Sequence, residues 1–162
     1  MALFDAFLKI TGIEGESSDS KHKGEIHLES FSWGANQTGT AHTGGGLGAG
    51  KVAMQDFHIT KVVDKASPKL MLACADGEHL KQAVITCRKA GKDQQEFLKI
   101  TLSDVLVSSY QMGGTPSGST VPMEQVSFNY SKIEKEYKEQ KSDGTLGGAV
   151  KAGWKRKENT KV

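Results

Sequence analysis

The sequence predicts a mainly β protein, a two-sheet β-barrel or sandwich with one short flanking α-helix. Three observations carry that expectation. Runs of β-branched and aromatic residues alternate with polar ones at period two, bounded by clusters of glycine, asparagine and serine. The apolar phase slips by one residue inside the last long run. A single segment carries helix start and stop signals at both ends. At 162 residues the chain is large enough to bury a core without staples, so a single domain spanning 1–162 is expected.

Strands are expected at Leu3 to Thr11, Glu25 to Ala35, Val52 to Val63, Leu80 to Lys89, Glu96 to Tyr110 and Met123 to Tyr137, with a shorter one at Gly153 to Asn159. The clearest alternation sets Leu98, Ile100 and Leu102 against Lys99, Thr101 and Ser103, one dry face and one wet. Val105, Leu106 and Val107 are apolar on both faces, so a neighbouring element or subunit must cover this end a second time. In the last long strand the apolar positions are Val126, Phe128 and Tyr130, then Ile133 and Tyr137. That slip marks a β-bulge or a corner onto a second sheet. The helix begins at Ser67 as N-cap with Pro68 in the first position, presents Leu70, Met71, Leu72 and Cys74, and closes at Gly77. Residues 113 to 120 form an exposed turn-rich loop, and Lys141 to Gly153 reads as a glycine-rich connection. Trp154 anchors a basic terminal strand containing Lys155, Arg156 and Lys157.

A net charge of +2, from 21 basic and 19 acidic residues, argues against a broad nucleic-acid footprint. The apolar start has no basic flank, and no window approaches the roughly 18 apolar residues needed to span a bilayer. A soluble protein made in the cytoplasm, without a signal peptide or membrane insertion, is expected. Cys74 and Cys87 are too few for a disulfide framework and read as free, buried thiols.

No motif points to catalysis, a cofactor or a metal. The run Gly45 to Lys51 has P-loop spacing, but Val52 stands where a magnesium-binding hydroxyl belongs, and a strand follows where a helix is required. The histidines lack zinc-site spacing. Asp56 and His58 share a strand face, yet no nucleophile signature accompanies them. More informative is the stretch from Ser30 to Gly50, which contains no Asp, Glu, Lys or Arg. It is too polar for a core and too uncharged for an ordinary solvated loop. An ordered loop that leaves its own domain to lie against another protein surface fits it. Within it, Phe31 and Trp33 alternate as core aromatics, placing Ser32 on the opposite face.

In this order the motifs resemble the Hcp family, the haemolysin-coregulated proteins of bacterial type VI secretion, along essentially the whole chain. They comprise Phe7 to Ile10, Glu25-Ile26, Ser32-Trp33-Gly34, His42 to Lys51, Gln55-Asp56, Thr60-Lys61, Asp64 to Pro68, Ala73-Cys74, Ile85 to Gly91, Val105 to Ser109, Asp143-Gly144 and Gly153-Trp154. The resemblance implies a non-catalytic structural subunit of the secretion inner tube. Copies form homohexameric rings that stack, a contractile sheath expels the tube with a spike trimer at its tip, and effector proteins ride or are chaperoned in the lumen. It implies assembly in the cytoplasm followed by secretion without a signal peptide. The loop Thr43, Gly44, Gly45, Gly46, Leu47, Gly48, Ala49, Gly50, Lys51 is then expected to form the ring and subunit interface, and Ser32 to face the lumen. The alternative from another class is a monomeric β-sandwich binding module, for instance for carbohydrate. Aromatic platforms would suit that role, but 38 to 53 and 113 to 120 contain no Trp, Tyr or Phe.

Overall fold

The computed structural model describes residues 3–37 and 50–162. Strands β1 (Phe4–Ile10), β2 (Ile26–Leu28), β3 (Ser30–Ser32), β4 (Ala35–Asn36), β5 (Ala53–Met54) and β6 (Phe57–Val62) precede helix α1 (Ser67–Asp76). After the helix come β7 (His79–Lys89), β8 (Glu96–Gly113), β9 (Met123–Gln140), β10 (Leu146–Lys155) and β11 (Thr160–Lys161). The architecture is mainly β with one short helix, as the patterning predicts.

All pairings are antiparallel, and they run in a ring. β1 pairs with β7, β7 with β8, β8 with β9, the first half of β9 with β6, and β6 with β3. β2 pairs back onto β1, completing the circuit. β2 and β3 are one strand interrupted at Glu29, whose N–H still reaches the Thr60 carbonyl at 2.8 Å. The pleated wall therefore wraps around its own apolar face, which covers strand edges that would otherwise be open. β4 and β5 form a separate two-stranded sheet. Inside the wall, Leu8, Ile26, Phe57, Ile85, Leu102 and Phe128 are all fully buried.

The slip in the last long strand is where β9 changes partner. Met123 to Phe128 pair with β6, whereas Lys132 to Gln140 pair with β10. Val126, Phe128, Tyr130 and Ile133 are buried on either side of this corner. Tyr137 departs from expectation at 46% exposed, because the strand outlasts the core. A β-bulge lies on β8, between Val107 and Ser109.

Four other expectations are corrected. The Lys141 to Gly153 connection is largely strand β10, and only Lys141 to Thr145 turns. Gly153 serves packing: a Cβ there would meet Val162 Cγ2 at 2.8 Å and Glu134 Cγ at 2.9 Å. The terminal strand expected at Gly153 to Asn159 is the end of β10 followed by a turn, with Asn159 at φ 55° leading into β11. Ala66 caps α1, so Ser67 is already helical, and its hydroxyl accepts instead from the Asp64 N–H at 2.9 Å. Finally, Met71 and Leu72 are exposed, and α1 buries Ser67, Leu70 and Ala73. The expected closure at Gly77 holds, with φ 68° and its N–H on the Ala73 carbonyl. α1 packs against β8, the neighbouring element that the doubly apolar Val105 to Val107 segment requires. Cys74 and Cys87 are free thiols, Cys87 buried and Cys74 half-buried. Burial pushes the Cys87 thiol up to about 11.

The segment between β1 and β2 is held to the wall by charge. Arg88 donates to both Asp19 oxygens, at 2.9 and 2.5 Å, and stacks over the Phe7 ring at 4.7 Å. His22 stacks on Phe7 and contacts Glu25 and Glu96, each at 2.8 Å. The Arg88 side-chain hydrogen bonds, followed by the Lys21 N–H, hold the Asp19 carboxyl well below the usual carboxylate range. A depressed carboxylate stabilises the folded state fully above its ordinary value, and loses that contribution as the pH falls from about 4 towards the lowered value. Thermal melting should therefore show a progressive acid loss of stability, and Asp19→Asn should flatten it. An unchanged acid profile in that variant would remove Asp19 from the account.

Candidate functional site: a polar face of the wall

Strand register brings small polar residues into rows on the side of the wall opposite the core. Ser32 on β3 lies opposite His58 on β6, His58 opposite Ser127 on β9, and Ser127 opposite Ser109 on β8. Two residues along, Ser30, Thr60, Gln125 and Gln111 form a parallel row. The intervening residues Phe31, Ile59, Val126 and Tyr110 pack into or against the core. Alternation thus separates an apolar inner layer from a hydroxyl and amide outer layer on the same strands.

The β8 bulge gives this face its internal order. By inserting Ser108, it brings two consecutive serines onto Ser127, with Oγ–Oγ separations of 2.8 Å to Ser108 and 2.5 Å to Ser109. Ser108 donates to Asp56 Oδ2 at 2.7 Å, and Asn129 donates to Asp56 Oδ1 at 2.9 Å. A carboxylate only accepts and each hydroxyl has one proton, so the direction is set: Ser109 to Ser127 to Ser108 to Asp56. Ser127, 3% exposed, is satisfied by this chain, while Ser32, His58 and Ser109 remain exposed. Among the described residues no hydrogen bond joins His58 to a serine.

Elsewhere the outward surface is charged. On the β9–β10 ribbon, Lys132 pairs with Glu134 at 3.1 Å, and Glu136 sits between Lys138 and Lys151 at 3.9 and 3.6 Å. On the Ser32 face, among the described residues, the Asp56 carboxylate accepts from Ser108 and Asn129. Beneath this face, Trp33 donates to the Tyr130 hydroxyl at 2.5 Å, which in turn donates to the Gln55 carbonyl at 2.8 Å. These bonds fix the β3 end against β9.

Of the residues singled out in the sequence, Ser32 lies exposed on this face, and Gly50 and Lys51 are exposed ahead of β5. Thr43, Gly44, Gly45, Gly46, Leu47, Gly48 and Ala49 lie outside the described residues. The sequence reading missed His58's place in the row, Ser108, Ser109, Ser127 and Asn129. Alternation around Phe128 marks Ser127 and Asn129 as outward, but only pairing places them beside Ser32.

A wrapped antiparallel wall with one short flanking helix defines a barrel-like, mainly β protein. The chain belongs to the Hcp family of type VI secretion proteins. The family model described as type VI secretion system effector, Hcp, matches residues 7–137. The chain is 46% identical over 160 residues to protein hcp1 of Pseudomonas aeruginosa, covering 98% of each. A solved structure of a type six secretion system protein is similar at 35% identity and a TM-score of 0.93, covering 98% of this chain and 99% of that one. Hcp1 from Salmonella typhimurium is similar at 37% identity and a TM-score of 0.84, covering 99% and 100%.

Proposed function

We propose that this chain is a structural subunit of the type VI secretion inner tube, closing into hexameric rings whose stacks a contracting sheath expels behind a spike trimer. In this reading the face centred on Ser32, His58 and Ser127 lines the bore and carries effector proteins. Assembly takes place in the cytoplasm, and export follows through the machine itself. The supporting observation is the row of hydroxyl, imidazole and amide groups across β3, β6, β9 and β8. A bore that holds and then releases varied cargo needs contacts without buried unpaired charge, since a stranded ion costs several kcal/mol and would trap or reject cargo. The loop from Thr43 to Lys51 makes the contacts between copies, where missing side chains allow close approach.

Mass photometry and electron microscopy test the ring. The expected particle is annular at about six times the chain mass. Lone protomers at every concentration would overturn the ring and favour a monomeric binding module. Ser32→Gln tests the bore: rings should persist while effector retention in pull-downs falls. Full retention by intact Ser32→Gln rings would take Ser32 out of the cargo surface. Gly48→Asp should weaken ring stacking without unfolding the protomer.

A further inference from the structure

Where β9 leaves β6 and takes up β10, the sheet forks, and the fork holds a cavity of about 290 Å³. Its lining includes three cations, Lys51, Arg156 and Lys157, together with Trp154 and Asn159, and contains no Asp or Glu. Among the described residues none of the three cations makes an ion pair. The buried indole N–H of Trp154 likewise finds no acceptor among the described residues. The guanidinium of Arg156 is already oriented: Nη1 donates to the Tyr130 carbonyl at 3.0 Å, and the group lies 4.9 Å over the Tyr130 ring. That single bond uses one of its five N–H donors. The nearby carboxylates are engaged elsewhere, Asp56 with Asn129 and Asp104 with Ser131.

We propose that the fork is an oxyanion site, taking a carboxylate or phosphate group. A held guanidinium meets such a group with paired donors and little further loss of side-chain freedom, and the two lysines add charge at the rim. The carboxylate could belong to an acidic side chain of a neighbouring protein molecule, or the group could be free phosphate. Neither source depends on the tube reading.

The test is titration of the full chain with inorganic phosphate and, separately, glutarate at constant ionic strength, following the indole N–H resonances of both tryptophans. A saturable shift of the Trp154 signal with either probe, Trp33 staying put, is the expected result. Glutarate binding identifies an acidic side chain as the natural group, and phosphate binding alone identifies the free ion. Arg156→Gln should weaken the response by about tenfold. The Lys51→Gln, Lys157→Gln double variant alters only exposed side chains and should also weaken it, which keeps the test valid if Arg156→Gln disturbs Tyr130. Linear shifts with both probes, or shifts unchanged in the double variant, would overturn the site.

Discussion

Replacing Lys61 with methionine is expected to destabilise the chain by about 3–5 kcal/mol, as for other buried ion pairs that lose one partner. Lys61 is 0% exposed, and its ammonium donates to Glu124 at 2.6 Å, Asp64 at 2.8 Å and the Val62 carbonyl at 2.9 Å. Glu124, also 0% exposed, accepts in addition from the Tyr110 hydroxyl. Burial pushes the Glu124 carboxyl up, but the Lys61, Tyr110 and Ser67 hydrogen bonds outweigh it and hold the group below its ordinary value. Desolvation, and then the same carboxylate, push the Tyr110 hydroxyl up to about 12. Removing the ammonium strands a carboxylate in this environment and frees the Asp64 turn that starts α1. Urea unfolding measures the loss. The Lys61→Met, Glu124→Met pair should recover part of it, since the fully buried carboxylate is removed while Asp64 still loses its partner. A single-variant loss below about 1 kcal/mol, the range of exposed pairs, would show that water reaches the site.

Phe128→Ala is the second large effect, at about 3–5 kcal/mol. Phe128 is 0% exposed and lies opposite Phe57 on β6 and Val107 on β8, next to the bulge and the corner. Phe57 in turn stacks on Phe31 with ring centroids 5.9 Å apart. The neighbours belong to paired strands on both sides, so the wall cannot collapse inward to fill the space, and the cavity term adds to the lost burial. Ser127 and Asn129 flank Phe128 and carry the polar row. Effector retention should therefore fall in Phe128→Ala even though no surface group has changed. Denaturation showing a loss below about 1 kcal/mol would mean the core relaxes around the gap.

Much of the wall is legible in local pattern. The alternation at Leu98, Ile100 and Leu102 marks β8 because strand side chains alternate strictly, and Gly77 marks the helix end because a left-handed cap disfavours a Cβ. The slip between Tyr130 and Ile133 marks the corner for the same reason. Glycines mislead at Leu146 to Lys155, since the close approach that needs Gly153 lies on Glu134 and Val162, which a local window does not contain. Met71 and Leu72 mislead because helical spacing tells which residues share a stripe but not which stripe meets β8. The polar row is hidden more deeply. Ser32, His58, Ser127 and Ser109 are scattered across the chain, and only strand register sets them side by side.

By itself, then, the sequence determined the mainly β class, the helix, the charge-poor segment after β2 and the outward placement of Ser32, all consequences of backbone preference and side-chain period acting over a few residues. Tertiary structure alone decided that Lys61 and Glu124 are buried together, that a bulge gathers Ser108 and Ser109 onto Ser127, and that the fork at Tyr130 collects three cations. These features depend on contacts between residues distant in sequence, and a charged side chain reads the same along the chain whether its partner is water or another ion.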